Sequence, residues 1–374
     1  MATRPPPLAP RARGTFPALA AVSLVLAGAA CSASQHPKDQ PRPDGSGWVS
    51  PRFRDHPLVG KVWRPSEGKF ATEAELTAAV VRARFALLGE THDNADHHIL
   101  QARLVRAIGA AGRSPALAFE MLDVDRQADV DASLARAPRD ALALSTAVRW
   151  SESGWPPFGF YRPVFEAGLA AGMPIVAANL PRKDARALFS KGPSALPEPV
   201  RVRLEKAGPF PDDVLKALRE EMAASHCGEL PESMVEPMVT AQKAKDAQLA
   251  DRLVASDRGQ GAILIAGSGH LRTDVAVPMF LRADADAEQI VAVAMVEVSD
   301  DARRPEDYAE HWGAKALPFD WVLFTPAAER EDPCAKFREE HKKTMAAHEK
   351  KGTAATGATP APPAAPAAPA PAAK

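Results

Sequence analysis

The sequence has little of several features that would assign it to a common class of protein. Lysine and arginine number 46 against 47 for aspartate and glutamate, so no excess charge favours binding to nucleic acid or to an anionic surface. Aromatic residues make up only 6% of the chain. It contains no GxSxG serine-hydrolase motif, no HExxH zinc motif and no CxxCH haem-attachment motif. Function must therefore be argued from a site that the fold assembles.

The apolar run near the N-terminus, Phe16–Ala30, is too short to cross a membrane comfortably. It follows three arginines and ends in small residues directly before Cys31, the order of a bacterial lipoprotein signal in which the thiol is acylated. We expect residues 1–31 to be a signal segment and Cys31 to carry a lipid anchor. Ordinary secretion, with cleavage near Ala29 or Ala33, is the alternative. Both interpretations predict an exported protein of the cell envelope, on the periplasmic side if it is anchored.

Cysteine is scarce, with three residues in the whole chain. If lipid takes Cys31, then Cys227 and Cys334 remain, and an even number in an oxidising compartment predicts a disulfide. That bond would close a loop of about a hundred residues, which the chain-entropy model values at about 4 to 5 kcal/mol. Two separate free thiols are the alternative.

Both ends of the chain differ in composition from a globular domain. Residues 32–57 are polar and proline-rich, which is typical of a tether between an anchor and a domain. Residues 337–374 are charged and then consist of an Ala/Pro tract that has too little apolar surface to fold. We therefore expect the folded domain to span residues 58–336.

Short apolar runs alternate with helical patterns through this domain. The runs predict strands at 84–89, 115–119, 174–178, 261–266, 289–298 and 320–324. The first four are apolar throughout, as in strands that helices cover on both faces. This order predicts an α/β fold with a largely parallel central sheet flanked by helices. Residues 196–256 have no strand signal, which predicts a helical cap.

Polar and ionisable residues directly follow the first four predicted strands. These residues are Glu90 and His92, Glu120, Asn179, and His270 with Arg272. The carboxyl ends of parallel strands lie along one edge of a sheet, where ligand crevices form. Such a group could bind a metal, transfer protons or clamp an anionic ligand. The alternative for each residue is a role in capping a helix or starting a turn.

The three histidines of "GETHDNADHHILQ" are not equivalent. Asp93 or Asn94 is expected to cap the following helix. His92 lies in the loop before that helix and is best placed to face the crevice. His97 is a second-rank candidate, and His98 is expected on the helix surface.

Two further segments carry candidate residues. "SGWPPFGFYRP" concentrates aromatic side chains, and its Tyr161 could ligate ferric haem while Arg162 meets a propionate. The alternative is an aromatic corner of the core. In "AQKAKDAQLA", Gln242 and Asp246 lie four residues apart on a predicted helix, and they either reach into the crevice or form a solvated face.

Several of these motifs, in the same order, resemble the ChaN-like iron-regulated lipoproteins of the haem-binding uptake and Tiki superfamily. The resemblance spans roughly residues 58 to 336 and rests on these segments: "LLGETHDNADHHILQ", "FEML", "SGWPPFGFYRPVFEAGLAAGMPIVAANLPR", "HCGELP", "AQKAKDAQLA", "IAGSGHLRTDVAVP" and "DWVLFTPAAEREDPC". It implies an α/β fold, attachment to the cell envelope and haem binding linked to iron uptake.

The resemblance also assigns residues and an assembly. The GExH element of the superfamily falls on Glu90 and His92, its second acidic position on Glu120, and its GxxH element on Gly267 and His270. It further implies a homodimer around haem and strengthens the expectation of a disulfide between the two remaining cysteines.

Two functions follow from the sequence. The first is an exported haem-binding protein whose iron ligand is Tyr161, His92 or His270. In that function Arg162 or Arg272 meets the propionates, and Asn179 belongs to the same cofactor site. The second is a metal-dependent hydrolase, a peptidase or esterase, which would need a divalent metal ion instead of haem. There Glu90 or Glu120 is the general base, and His92 and His270 bind the metal or transfer protons.

Overall fold

The centre of the fold is one sheet, whose strands come from the short apolar runs. The computed structural model of the protein describes residues 47–332, 334–335 and 338–339. Within those ranges the sheet has eight strands: β1 (Val62–Arg64), β2 (Lys69–Ala71), β3 (Phe85–Glu90), β4 (Ala116–Asp123), β5 (Ile175–Asn179), β6 (Ala262–Gly267), β7 (Ile290–Glu297) and β8 (Trp321–Thr325). The six predicted strands are confirmed, and each begins one residue later than expected.

The strands lie in the spatial order β2, β1, β8, β7, β3, β6, β4, β5. From β8 to β5 all neighbours are parallel, and β1 pairs antiparallel with both β2 and β8. The largely parallel sheet is thus as predicted. The β1–β2 hairpin was not expected, because strands of three residues are too short for an apolar period to show in the sequence.

Helices cover both faces of the sheet. Those in the described residues are α1 (Glu73–Arg82), α2 (Ala95–Ala110), α3 (Gln127–Arg136), α4 (Ala141–Ala147), α5 (Phe158–Ala170), α6 (Arg182–Lys191), α7 (Glu198–Ala207), α8 (Asp212–Ser225), α9 (Glu232–Ser256) and α10 (Val277–Leu281). Along β3, Phe85 and Leu87 pack into the core on the side of α6 to α10, while Ala86 and Leu88 pack into the core on the side of α1 to α5. Both faces of the strand are buried, so its sequence is apolar without alternation.

The segment between β5 and β6 is helical, and it forms the predicted cap from α6 to α9. Its helices begin at Arg182, earlier than the expected start near 196. At the end of α8, Cys227 is bonded to Cys334, and the two Cα atoms are 5.5 Å apart. The predicted disulfide is therefore confirmed.

Part of the predicted tether belongs to the folded domain. Trp48 is buried, and the backbone N–H groups of Val49 and Ser50 donate to the Asp96 carboxylate at 2.9 and 2.7 Å. The expectation of a free tether up to residue 57 is therefore wrong for its last ten residues. The signal segment with Cys31, the rest of the tether, and the predicted tail beyond residue 339 lie outside the described residues. Among the helices of the described residues, none is long and apolar enough to cross a membrane.

Candidate functional site

Three adjacent strands bring distant parts of the chain together at their carboxyl ends. Glu90 ends β3, Glu120 lies near the end of β4, and His270 follows β6 in a short 3-10 turn. Because β6 lies between β3 and β4 with Gly267 in register with Glu90, these side chains meet at one edge of the sheet. The edge is where an open parallel sheet forms ligand crevices.

Glu90 is the centre of the first group of contacts. Its Oε1 accepts hydrogen bonds from the Tyr161 hydroxyl at 2.7 Å and from His92 Nδ1 at 2.9 Å, and its Oε2 lies 3.1 Å from His98 Nδ1. Burial alone would raise the pKa of Glu90, but His98 and His92 outweigh it and hold the pKa well below its usual range. Glu90 is therefore a buried carboxylate anion that fixes the surrounding rings.

His270 is the centre of the second group. Its Nδ1 lies 2.5 Å from Asp246 Oδ1 and its Nε2 lies 3.2 Å from Glu120 Oε1. Burial would lower the pKa of His270, but the two carboxylates outweigh this effect and raise the pKa to about 10. The pKa of Glu120 falls to about 2 against its own burial, mainly because of the His270 charge. His270 is therefore an imidazolium whose two ring nitrogens are both engaged.

The Gln242 amide lies 3.2 Å from His270 Nδ1, which puts Gln242 and Asp246 in the same contact group. The sequence left open whether Gln242 and Asp246 reach into the crevice or form a solvated face of α9. The structure supports the first interpretation, because both side chains contact His270. One helical turn separates the two residues, so both side chains lie on the face of α9 that packs on the sheet.

His92 lies between the two groups and is the histidine of this site that remains partly open. Its side chain is 20% exposed, and Trp155 packs edge-on against it at 4.9 Å between ring centroids. Burial would lower the pKa of His92, but the Glu90 hydrogen bond and the Glu120 charge outweigh it and raise the pKa. Within the described residues His92 Nε2 has no hydrogen-bond partner; the nearest carboxylate oxygen, of Glu120, is 4.0 Å away.

Gly267 explains how the ring fits so close to β6. A Cβ atom at that position would lie 3.0 Å from His92 Nε2 and 3.1 Å from the neighbouring ring carbon. The GxxH element therefore contributes the imidazole of His270, and its glycine leaves room for the imidazole of His92.

Several predicted ligand residues have other roles in the structure. Tyr161 is fully buried with its hydroxyl on Glu90, and burial together with that carboxylate raises the pKa of the phenol well above its usual value. Arg162 is exposed on α5 and pairs with Glu166 on the same helix. The buried Tyr161 fits the alternative of an aromatic corner of the core, and its role as iron ligand and the propionate contact of Arg162 stay predictions.

Arg272 and Asn179 also differ from expectation. Arg272 is buried and binds Glu221 at 2.7 Å and Asp274 at 2.9 Å, so its charge is neutralised within the protein. Asn179 donates from its amide to Asp123 at 3.1 Å. Both residues follow the predicted strands, but neither makes a hydrogen bond or ion pair with Glu120 or His270.

The histidines of α2 hold the loop before it. Asn94 is the helix N-cap, as predicted, and accepts from the Asp96 N–H at 3.0 Å. His97 is buried, accepts from the Thr91 N–H and contacts Thr325, and burial lowers its pKa to about 4. His98 was expected on the surface, which is wrong: it is fully buried between Glu90 and the His92 carbonyl oxygen. Neither ring faces the crevice.

Lys245 is a site residue that sequence reasoning missed. It precedes Asp246 on α9 and is half-buried; its charge adds a small effect to the lowered pKa of Glu120, and it opposes the burial that raises the pKa of Asp246. In the described part of the chain no carboxylate pairs with it. The helical spacing of Gln242, Lys245 and Asp246 could have identified it. The same residues include no group of three or more His, Cys, Asp or Glu side chains arranged to hold a metal ion.

Comparison with known proteins gives a family and a fold. Residues 76–281, more than half of the chain, match the family described as haem-binding uptake, Tiki superfamily, ChaN. The structure is similar to ChaN of Campylobacter jejuni, solved with cofacial haem, with 20% identity, a TM-score of 0.54, and coverage of 70% of this chain and 95% of that chain. A mutant of the erythromycin esterase EreC in its open conformation shows 14% identity, a TM-score of 0.39, and coverage of 73% and 99%. Among curated proteins none matches.

Proposed function

We propose that this chain, which belongs to the ChaN family of haem-binding uptake proteins in the Tiki superfamily, binds haem at the carboxyl edge of its sheet through His92. Family membership supports haem as the ligand. We choose His92 because its Nδ1 is hydrogen-bonded to Glu90, whereas its Nε2 has no hydrogen-bond partner among the described residues.

A histidine that ligates a metal usually donates from its second ring nitrogen to a carboxylate or carbonyl oxygen, which fixes the ring and makes it a better ligand. His92 Nδ1 has this relation to Glu90 at 2.9 Å, and Nε2 makes no hydrogen bond to the described residues in a side chain that is 20% exposed. Imidazole is a common axial ligand of haem iron. The donor set at this edge therefore suits haem, and Trp155 offers an apolar surface beside the ligand.

The other two candidate iron ligands fit less well. His270 has carboxylates on both ring nitrogens and holds its proton strongly, so it has no lone pair to offer. Tyr161 would need to leave Glu90 and become a phenolate in a buried, negatively charged surrounding. His92 is the candidate whose Nε2 can bind iron without breaking a hydrogen bond to another described residue.

Lys245 is proposed to meet a haem propionate. Carboxylates at this edge would repel the ligand's own carboxylates, so the ligand needs a cation that the protein has not already neutralised. Arg272 is paired with two acids, whereas within the described residues Lys245 has no carboxylate partner and its charge acts on Asp246 and Glu120. It replaces Arg162 and Arg272 in the role that the sequence suggested for them.

The test is titration of the purified chain with haemin, followed by the Soret band. The wild type is expected to give a saturable shift, and His92→Ala to lose it or give a different Soret maximum that added imidazole restores. Tyr161→Phe and His270→Gln are expected to keep saturable binding with the wild-type Soret position. Absence of a saturable shift in the wild type would refute haem binding, and an unchanged His92→Ala spectrum would refute the ligand.

A second candidate is hydrolysis without a metal ion. The observation in its favour is the same Glu90–His92 pair, since a carboxylate that orients a partly exposed imidazole is the arrangement of a general base. Incubation with chromogenic acyl esters tests it: turnover that disappears in His92→Ala supports hydrolysis, and rates equal to those without protein exclude it for those substrates.

The proposed setting is the cell envelope, with a lipid anchor on Cys31 and a part in haem or iron uptake. The disulfide between Cys227 and Cys334 supports export, because such bonds persist in oxidising compartments. Fatty-acid labelling in cells tests the anchor and is expected to disappear in Cys31→Ser. We also propose a homodimer around haem, which a doubling of mass on haemin addition in light scattering would support and an unchanged monomer mass would refute.

A further inference from the structure

The loop that carries His92 is short, and residues from distant parts of the chain contact it. It joins β3 to α2 through Thr91, His92, Asp93 and Asn94, and Asp93 directly follows the proposed iron ligand. The His92 ring points toward Glu90 and Glu120, whereas the Asp93 carboxylate binds a residue near the opposite end of the chain. Asp93 therefore anchors this loop from a second side, in addition to the contacts of His97 with Thr91 and of His98 with His92.

The partner of Asp93 is Arg330, in the segment that follows β8. Arg330 donates from Nε to Asp93 Oδ2 at 2.8 Å and from Nη2 to Asp93 Oδ1 at 2.6 Å. Its Nη1 also donates to Glu297 Oε2 at 2.6 Å, and Nη2 donates to Glu297 Oε1 at 2.8 Å. One guanidinium thus forms a two-pronged contact with each of two carboxylates, which a lysine cannot reproduce.

Glu297 fixes this contact to the sheet. It is the last residue of β7, and its Oε1 also accepts from the Asn94 side chain at 2.7 Å and from the Ala328 N–H at 3.0 Å. Asn94 is the N-cap of α2, so Glu297 and Arg330 hold the loop at two successive residues.

The backbone on both sides of Arg330 is fixed to the rest of the domain, and its guanidinium separates two carboxylates. Four residues farther on, Cys334 is bonded to Cys227 in the cap, so the segment is tied down on both sides of Arg330. Without the guanidinium, Asp93 and Glu297 would be two neighbouring carboxylates with no cation between them, and they would repel each other. We expect this repulsion to loosen the loop beside β7 and to make the orientation of the His92 ring less well defined.

We propose that Arg330 is a positioning residue that holds the His92 ring in the orientation needed to bind the ligand, through its paired contacts with Asp93 and Glu297. This inference rests on the proposed function, because it assumes His92 as the iron ligand. It assigns a part in ligand binding to Arg330, whose side-chain hydrogen bonds within the described residues go to Asp93 and Glu297.

The experiment compares Arg330→Lys with the wild type by haemin titration, Soret position and electron paramagnetic resonance of the ferric complex. Loss of a residue that orients a metal ligand typically weakens binding by 10 to 100-fold, and we expect about a 10-fold loss together with a changed ligand-field signal. Asp93→Asn should give a similar change, and the double variant should be no weaker than either single variant, because both remove the same contact.

Arg304→Lys is the matched control. Arg304 binds Asp307 through two nitrogens at 3.1 and 2.6 Å in an exposed pair outside the site, and the exchange there should leave affinity and spectrum unchanged. Thermal unfolding of all variants separates a general loss of stability from loss of orientation. Arg330→Lys with wild-type affinity and spectrum would overturn the inference. If the wild type itself binds no haemin, the proposed function fails instead, and the two failures are distinguishable.

Discussion

The replacement of Glu90 by glutamine tests whether the negative charge of this carboxylate prepares His92 to bind haem. Glu90 Oε1 accepts from Tyr161 and His92, while Oε2 faces His98 Nδ1. A glutamine of the same shape can keep its carbonyl oxygen toward the first two and turn its NH2 group to His98 Nδ1. His98 Nε2 can still donate to the His92 carbonyl oxygen, which is 3.0 Å away. Gln101 Oε1, which lies 3.2 Å from the same His98 nitrogen, then loses its donor, so we expect Glu90→Gln to fold with one buried acceptor left unpaired.

The loss should appear in ligand binding. A hydrogen bond to an ionised acceptor is roughly twice as strong as one to a neutral acceptor, so the His92 ring becomes less firmly oriented and a weaker ligand. Removal of a carboxylate behind a metal-bound histidine typically lowers affinity by 10 to 100-fold, which corresponds to about 1.4 to 2.7 kcal/mol. Glu90→Ala should in addition destabilise the fold by about 3 to 5 kcal/mol, because it leaves buried polar groups without their partner.

Haemin titration and thermal unfolding on the same samples separate the two effects. Glu166→Gln is the control, because it makes the same chemical change in an exposed ion pair on α5. Equal haemin affinity for Glu90→Gln and the wild type would refute the idea that this carboxylate prepares His92. An unfolded Glu90→Gln variant would show instead that the charge is required for folding.

Three further predictions concern charge, pH and the disulfide. Lys245→Gln should weaken haemin binding by about 5-fold, because one partly exposed ion pair contributes about 1 kcal/mol. The affinity for haemin dimethyl ester, which has no free propionate, should not change. Equal losses of affinity for both ligands would contradict a propionate contact. Because the pKa of His270 rises from 6.5 to about 10 on folding, its contribution to stability is complete below about pH 6.5 and disappears as the pH rises through about 10. Thermal unfolding between pH 6.5 and 10 should therefore show a steeper loss in the wild type than in His270→Gln, and parallel curves would argue against this charge state. Joint replacement of Cys227 and Cys334 by serine should destabilise the fold by up to about 5 kcal/mol, since the bond spans 107 residues, and an unchanged denaturation midpoint would exclude such a contribution.

The strand positions could be predicted because burial on both faces leaves a direct mark on the sequence. Segments such as Phe85–Glu90 and Ala262–Gly267 are short apolar runs that end in polar residues, and in a parallel sheet those ends must share one edge. That rule was sufficient to bring Glu90, Glu120 and His270 together. The rule could not exclude Arg272, which follows β6 as His270 does but forms ion pairs with Glu221 and Asp274 instead.

The errors arose where the partner of a residue is far away in the chain. His98 was assigned by local pattern to a helix surface, whereas it is buried against Glu90. Burial of the α2 N-terminus depends on Ser50 and Arg330, which are distant from it in sequence. No periodicity within one helix contains that information.

The sequence by itself determined the parallel sheet, the helical cap, the pairing of the two remaining cysteines and the set of acids and histidines at the strand ends. These features follow from local composition, spacing and resemblance. Tertiary structure decided which imidazole is open: His270 lies between two carboxylates, while His92 has one nitrogen on Glu90 and the other free. The physical reason is that the charge and hydrogen bonding of a ring depend on the atoms around it in space, and strands, α9 and the segment after β8 bring those atoms from separate parts of the chain.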